Sequence, residues 1–256
     1  DSRSALRESG AGDHPSERMS VLLSSRGLSP PRRIRAGNHM TTPSPTVEKV
    51  VIEGPAGAIE AMIERPTGAR SDIVAVCCHP HPLYGGTMQN KVVHTLARAC
   101  QDQRVTSVRF NFRGVGASEG VHDDGVGESE DAAAVAEYAM RVTGASRLWS
   151  LGFSFGGFVA YRLATARAAS ALVTVAPPVQ RFDFTRLPVP ACPWLVAQGD
   201  ADDLVDHERV LAWTRSLSPA PDVTILPGAE HFFHGRLTEL RAILAAWLAA
   251  RAAENR

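Results

Sequence analysis

Gly152-Phe153-Ser154-Phe155-Gly156 has the form G-x-S-x-G. A serine hydroxyl is a weak nucleophile until a base takes its proton, and the base works best when a carboxylate orients it. The pentapeptide follows the apolar run Leu148-Trp149-Ser150-Leu151 and precedes a helical pattern from Gly156 to Thr165. A strand, a sharp turn and a helix in that order form a nucleophile elbow, which lifts the serine Oγ at the carboxyl edge of a sheet. Glycine at 152 and 156 removes Cβ groups that would collide in so tight a turn, and Gly157 is expected to let the helix approach the sheet. The helix N-terminus behind the serine favours developing negative charge.

Two later segments carry groups that could complete this chemistry. Asp200, Asp202 and Asp203 follow the strand-like run Trp194-Leu195-Val196-Ala197. His231 and His234 follow the run Val223-Thr224-Ile225-Leu226. In elbow enzymes the order along the chain is serine, acid, histidine, and these segments stand in that order. Residue types and spacing alone leave three aspartates and two histidines in competition. Gly114-Val115-Gly116 also follows a strand, but its spacing to Gly120 does not fit a dinucleotide-binding G-x-G-x-x-G, so that loop is read as structural.

The elements needed to hold these groups are legible. Val47 to Ile52 and Ala58 to Ile63 alternate as strands, joined by Gly54-Pro55-Ala56-Gly57 in a hairpin signature. Ile73 to Cys78 is continuously apolar, as in a strand buried on both faces. Helical spacing runs from Asn90 to Cys100, and a strand over Val105 to Phe112 follows. A helix is expected from Ser129 to Arg141, with Ser129 as its N-cap, then the elbow, a strand at Ala171 to Val175, and a closing helix from Leu237 to about Ala250. Strands alternating with helices predict a mostly parallel α/β sheet with helices on both faces and an antiparallel hairpin at one edge.

Composition narrows the function classes. Lys plus Arg and Asp plus Glu stand at 27 each, so nothing points to nucleic acid or an anionic membrane surface. No apolar run is long enough to span a bilayer. The cysteines, Cys77, Cys78, Cys100 and Cys192, show no C-x-x-C spacing and read as free thiols of a reducing, cytoplasmic compartment. Residues 1–39 are rich in Ser, Arg, Gly and Pro, lack periodicity, and are expected to form a disordered extension ahead of a single domain over 40–256.

From about Val47 to the C-terminus the chain resembles the lidless bacterial serine esterases of the α/β-hydrolase superfamily, near the dienelactone-hydrolase-like group. The resemblance is carried by the elbow together with Cys78-His79-Pro80-His81-Pro82-Leu83-Tyr84-Gly85-Gly86, Asn90-Lys91-Val92-Val93, Arg109-Phe110-Asn111-Phe112-Arg113-Gly114-Val115-Gly116, Gln198-Gly199-Asp200-Ala201-Asp202 and His231-Phe232-Phe233-His234. It implies an α/β-hydrolase fold and a catalytic triad of Ser154, Asp202 and His231, the acid standing in G-x-x-D-x-x-V. It leaves Asp203 as a solvated turn residue and His234 beside the site. It implies backbone oxyanion donors at Phe155 and His81, since Pro80 has no N–H. It accounts for His79, His81, His231 and His234 without a metal, so neither metal nor cofactor is expected. The stretch between Val175 and Trp194 is proline-rich and too short for a cap domain. An open pocket for small carboxylic esters follows, with Leu83, Tyr84, Phe182 and Phe184 as its apolar walls. Phe153 is read as wall or core. Thioester or small-peptide hydrolysis on the same triad, or a catalytically idle binding scaffold, are the other readings, in a monomer or homodimer.

Overall fold

The computed structural model describes residues 45–254, so the extension expected over 1–39 lies outside the described residues. The opening hairpin is β1 (Thr46–Gly54) and β2 (Gly57–Arg65), paired in register from Thr46 with Arg65 to Gly54 with Gly57. Then come β3 (Ile73–Cys78), α1 (Lys91–Asp102), β4 (Thr106–Phe110), α2 (Val126–Thr143), β5 (Arg147–Phe153) and α3 (Phe155–Ala166). The chain continues through β6 (Ala171–Val175), β7 (Trp194–Gly199), α4 (His207–Arg215), β8 (Asp222–Leu226) and α5 (Leu237–Ala253). One eight-stranded sheet results, in the order β1-β2-β4-β3-β5-β6-β7-β8. The pairings of β1 with β2 and of β2 with β4 are antiparallel, and all others are parallel.

Period-two alternation along β3 divides the core. Ile73, Ala75 and Cys77 pack with Val92, Val93 and Leu96 of α1 and Leu240, Leu244 and Leu248 of α5 on one face. Val74, Val76 and Cys78 pack with Val135 and Ala139 of α2 and Val159 and Leu163 of α3 on the other. A strand covered on both sides has no polar face, which explains its unbroken apolar run.

Three boundaries differ from expectation. The helix expected at Ser129 starts a turn earlier, with Gly125 as N-cap at φ 90°. Two carboxylates hold the first turn: Glu128, inside the helix, reaches back to accept Asp123 and Gly125 N–H at 3.0 and 2.8 Å, and Asp123 accepts the helix N–H of Gly127 at 3.0 Å. Ser129 is inside the helix and its hydroxyl bonds back to Gly125 O. The strand expected to reach Phe112 ends at Phe110, and the Phe112 N–H is taken by a side chain, His79 Nε2, at 2.9 Å. Helix α4 was not foreseen; only Val210 and Thr214 in it are buried, too thin a stripe to read as periodicity.

The glycine-containing loop after β4 is sewn into the frame. Ser118 Oγ donates to Asn111 O and accepts Glu60 N–H, Glu119 accepts Ala58 N–H, and Arg113 makes a buried bidentate pair with Asp131 at 2.8 and 2.8 Å.

Candidate active site

The strand order reverses between β3 and β5: the connection through α1 leads to β4 on one side, and the connection through α3 leads to β6 on the other. In open α/β sheets a crevice forms at such a point, beyond the carboxyl ends of the strands. Cys78 pairs with Gly152 across it, so the segments that leave β3 and β5 begin side by side.

Ser154 is at φ 54° and ψ −123°, a region that residues with a Cβ rarely enter. Its N–H donates to Val175 O at 2.8 Å and its carbonyl accepts Gly157 N–H at 2.7 Å, which fixes the turn from both sides. A Cβ on Gly152 would lie 1.9 Å from Gly156 O, and one on Gly156 would lie 2.3 Å from Cys78 O. Both positions therefore need glycine. Gly157 does not: an added Cβ would make only ordinary contacts, at 3.6 Å and beyond.

Ser154 Oγ lies 3.1 Å from His231 Nε2, and His231 Nδ1 lies 2.8 Å from Asp202 Oδ2. The Asp202 side chain is wholly buried and that of His231 nearly so. Asp202 Oδ1 accepts the N–H groups of Leu204 and Val205 at 2.9 and 2.8 Å, and Gln198 Nε2 donates to Oδ2 at 3.1 Å. Burial pushes the Asp202 pKa up, but the His231 hydrogen bond and charge, with the two backbone N–H groups, outweigh it and hold the carboxyl below its ordinary range. An ionised carboxylate here fixes the tautomer that presents Nε2 to the serine.

The loops after β7 and β8 are tied together so that these two residues meet. Ala201 N–H donates to Ala229 O at 3.1 Å, and Asp200 Oδ1 accepts Gly228 N–H at 2.6 Å. Asp200 is thus an anchor of the loop, and Asp203 is exposed. His234 is exposed too and bonds to Glu230.

The segment from His79 to Gly86 closes the other side. His79 is buried, and burial pulls its pKa down to about 3. Since Nε2 accepts from Phe112, the proton of this neutral ring is on Nδ1 and donates to Pro80 O. A Cβ on Gly86 would lie 2.0 Å from Pro80 O, and Gly86 N–H bonds His81 O at 3.1 Å. The His81 N–H meets no protein acceptor among the described residues. Phe155 is the first residue of α3, so its N–H has no acceptor within the helix. The four histidines once considered together have separate surroundings: His79 on Phe112, His81 against Tyr84 and Phe155, His231 on Ser154 and Asp202, His234 on Glu230.

Above Ser154 is a cavity of about 400 Å³. Tyr84, Phe155, Phe182 and Phe232 give it an apolar lining, and His81 and His231 border it. Of the four residues expected as walls, Tyr84 and Phe182 line this cavity. Leu83 is not: its turn (Pro82–Tyr84) leaves it 71% exposed, outside the cavity. Phe184 is not either; it is buried among Phe158, Tyr161 and Trp213. Phe153 is core, wholly buried, with its ring 5.1 Å from that of His231. Asn90, Arg181, Leu204 and Phe232 also line the cavity, a role the sequence did not suggest for them. Between β6 and β7 the described chain holds only the short turn Phe184–Arg186, so that connection supplies no cap over the site.

Residues 83–250 match the alpha/beta hydrolase domain family. The chain belongs to the α/β-hydrolase family. An α/β serine hydrolase homologue from Coxiella burnetii is 46% identical, with a TM-score of 0.75 over 79% of this chain and 97% of that one. A serine hydrolase without a lid from Xanthomonas campestris is 38% identical, with a TM-score of 0.78 over 82% of this chain and 97% of that one. A Rickettsia prowazekii protein is 36% identical over 201 residues, 75% of this chain and 84% of its own length. The resemblance to lidless bacterial α/β-hydrolases thus holds for fold and family. No described helix is long and apolar enough to cross a membrane.

Proposed function

We propose that this α/β-hydrolase is a serine hydrolase that cleaves small carboxylic esters. The observation that carries the reading is the hydrogen-bonded chain from Ser154 through His231 to Asp202 at the floor of an uncapped, mainly apolar cavity. His231 Nε2 takes the hydroxyl proton as Ser154 Oγ attacks the ester carbonyl. The tetrahedral oxyanion is met by the backbone N–H groups of His81 and Phe155, which have no competing acceptor among the described residues. The C–O bond to the alcohol breaks, and His231 returns the proton to the leaving oxygen. Water then enters the uncapped site, gives a proton to His231 and attacks the acyl-enzyme, releasing the acid and Ser154. Every step uses side chains and backbone N–H groups, with no metal or cofactor. The four cysteines are free, three of them buried, which supports a reducing compartment and a cytoplasmic location.

A panel of acyl esters, thioesters and small amides tests the reading, with labelling of Ser154 by a phosphonate inhibitor as the control. Ester turnover that is lost on labelling is expected. Faster turnover of thioesters or amides would move the substrate class within the same mechanism. Labelling without turnover of any of them would leave a binding scaffold as the better account.

A further inference from the structure

The cavity carries a polar feature that ester hydrolysis itself does not use. Arg181 borders it, in the segment that follows β6, and is exposed. Among the described residues Arg181 makes no ion pair, and the nearest carboxylate in sequence, Asp183, is engaged by Arg186 at 2.8 Å and by Thr185 N–H at 3.0 Å. The cavity lining contains no aspartate or glutamate. The lining also includes Asn90, whose Oδ1 accepts Val92 and Val93 N–H at the start of α1; its remaining polar end is a donor, Nδ2. Burial and then the His122 charge hold His81 below its ordinary pKa against the opposing Asp124 and Glu128 carboxylates, with a smaller downward push from Arg181, which shares the cavity lining with His81.

A lone guanidinium beside an apolar cavity discriminates by charge. When a neutral ester fills the cavity, the cation loses part of its hydration and gains no partner. When the ester carries a carboxylate, the planar fork can take it in charge-assisted hydrogen bonds, and no lining carboxylate repels it. We propose that Arg181 is a specificity-determining residue and that the preferred substrates are esters bearing a carboxylate on their acyl or alcohol part. This rests on the serine-hydrolase reading of the same site.

Two matched pairs of esters test it with the full chain. Mono-4-nitrophenyl glutarate against 4-nitrophenyl valerate varies the acyl side, and 4-acetoxybenzoate against its methyl ester varies the alcohol side. In at least one pair kcat/KM should favour the anionic ester, and Arg181→Gln should cut that ratio about tenfold, the size of one hydrogen bond to a charged group. Arg181→Lys should restore part of it, and rising salt should erode it. Calorimetric binding of the same esters to Ser154→Ala protein reads the preference without turnover, so a failure of the hydrolase reading is told apart from a failure of this one. Equal handling of both members of each pair by wild-type protein, in turnover or in binding, overturns the proposal. So does a ratio that Arg181→Gln leaves unmoved.

Discussion

Asp202 Oδ2 faces two donors at once, His231 Nδ1 at 2.8 Å and Gln198 Nε2 at 3.1 Å, while Oδ1 is held by two backbone N–H groups. Four contacts fix the carboxylate plane, so the imidazole has one orientation available. Asp202→Asn keeps the shape but can turn an N–H₂ group toward His231 and favour the wrong tautomer. Its kcat should fall about a thousandfold or more. Asp203→Asn removes only a solvated charge and should leave ester turnover within about twofold. Asp200→Asn weakens the bond to Gly228 N–H, costing about 1 kcal/mol of stability. Kinetics of the three variants on one ester at one pH decide the matter; a dead Asp203→Asn beside an active Asp202→Asn would reverse the assignment.

Ser154 is strained where it stands, at φ 54° and ψ −123°. Glycine enters that region freely, whereas alanine meets the same steric cost as serine. Ser154→Ala and Ser154→Gly should both fold and both lose several orders of magnitude in rate. Ser154→Gly should be the more stable by about 1 kcal/mol, relief of strain exceeding the added freedom of the unfolded chain. Denaturant unfolding of both variants checks this, and equal stabilities would show that the turn stores no strain.

His79 gives the fold a dependence on pH. Its pKa is pulled down to about 3 by burial, while the unfolded chain binds the proton near 6.5. Below 6.5 the unfolded state therefore carries one more proton than the native state. Its share of stability is complete above pH 6.5 and declines as pH falls toward about 3. Between pH 6.5 and 5 the loss should be about 2 kcal/mol. His79→Gln can still accept Phe112 N–H and donate to Pro80 O, but does not titrate. Its unfolding free energy should fall less over this range, and parallel curves for the two proteins would remove His79 as the cause.

How far these features were legible depends on how local their causes are. Gly152, Ser154 and Gly156 lie within five residues, and the collision that demands glycine at 152, with Gly156 O, is between near neighbours; the one at 156, with Cys78 O, exists only in the folded sheet. The alternation along Ile73–Cys78 likewise needs only its own pattern. The start of α2 was misread because its N-cap is Gly125, which has no side chain to mark the boundary; the carboxylates of Glu128 and Asp123 hold the first turn instead. The choice of Asp202 over Asp200 and Asp203 came from resemblance, since three neighbouring aspartates differ only in which loop atoms they meet. Arg181 was missed because a single arginine in a proline-rich stretch has no periodicity, and only the folded loop brings it to the cavity.

The wall residues show the same limit and give the last test. Leu83, Phe182 and Phe184 look alike in sequence, as apolar residues near the site, but the fold sends each to a different place. Leu83 is exposed outside the cavity, so Leu83→Ala should change neither stability nor kcat/KM by more than about twofold. Phe184 is packed in the core, its ring 4.7 Å from that of Trp213. Phe184→Ala should cost about 3 kcal/mol or more of stability, seen as an earlier unfolding midpoint. Phe182 is half-buried, stacked 4.9 Å from Phe158 and facing the cavity. Phe182→Ala should act mainly through substrate: losing about 1.4 kcal/mol of apolar contact corresponds to a tenfold rise in KM, larger for longer acyl chains. Unfolding curves and a chain-length series of 4-nitrophenyl esters, run on all three variants, separate these outcomes. If Leu83→Ala changed the chain-length preference and Phe182→Ala did not, the cavity would not be where the acyl chain lies.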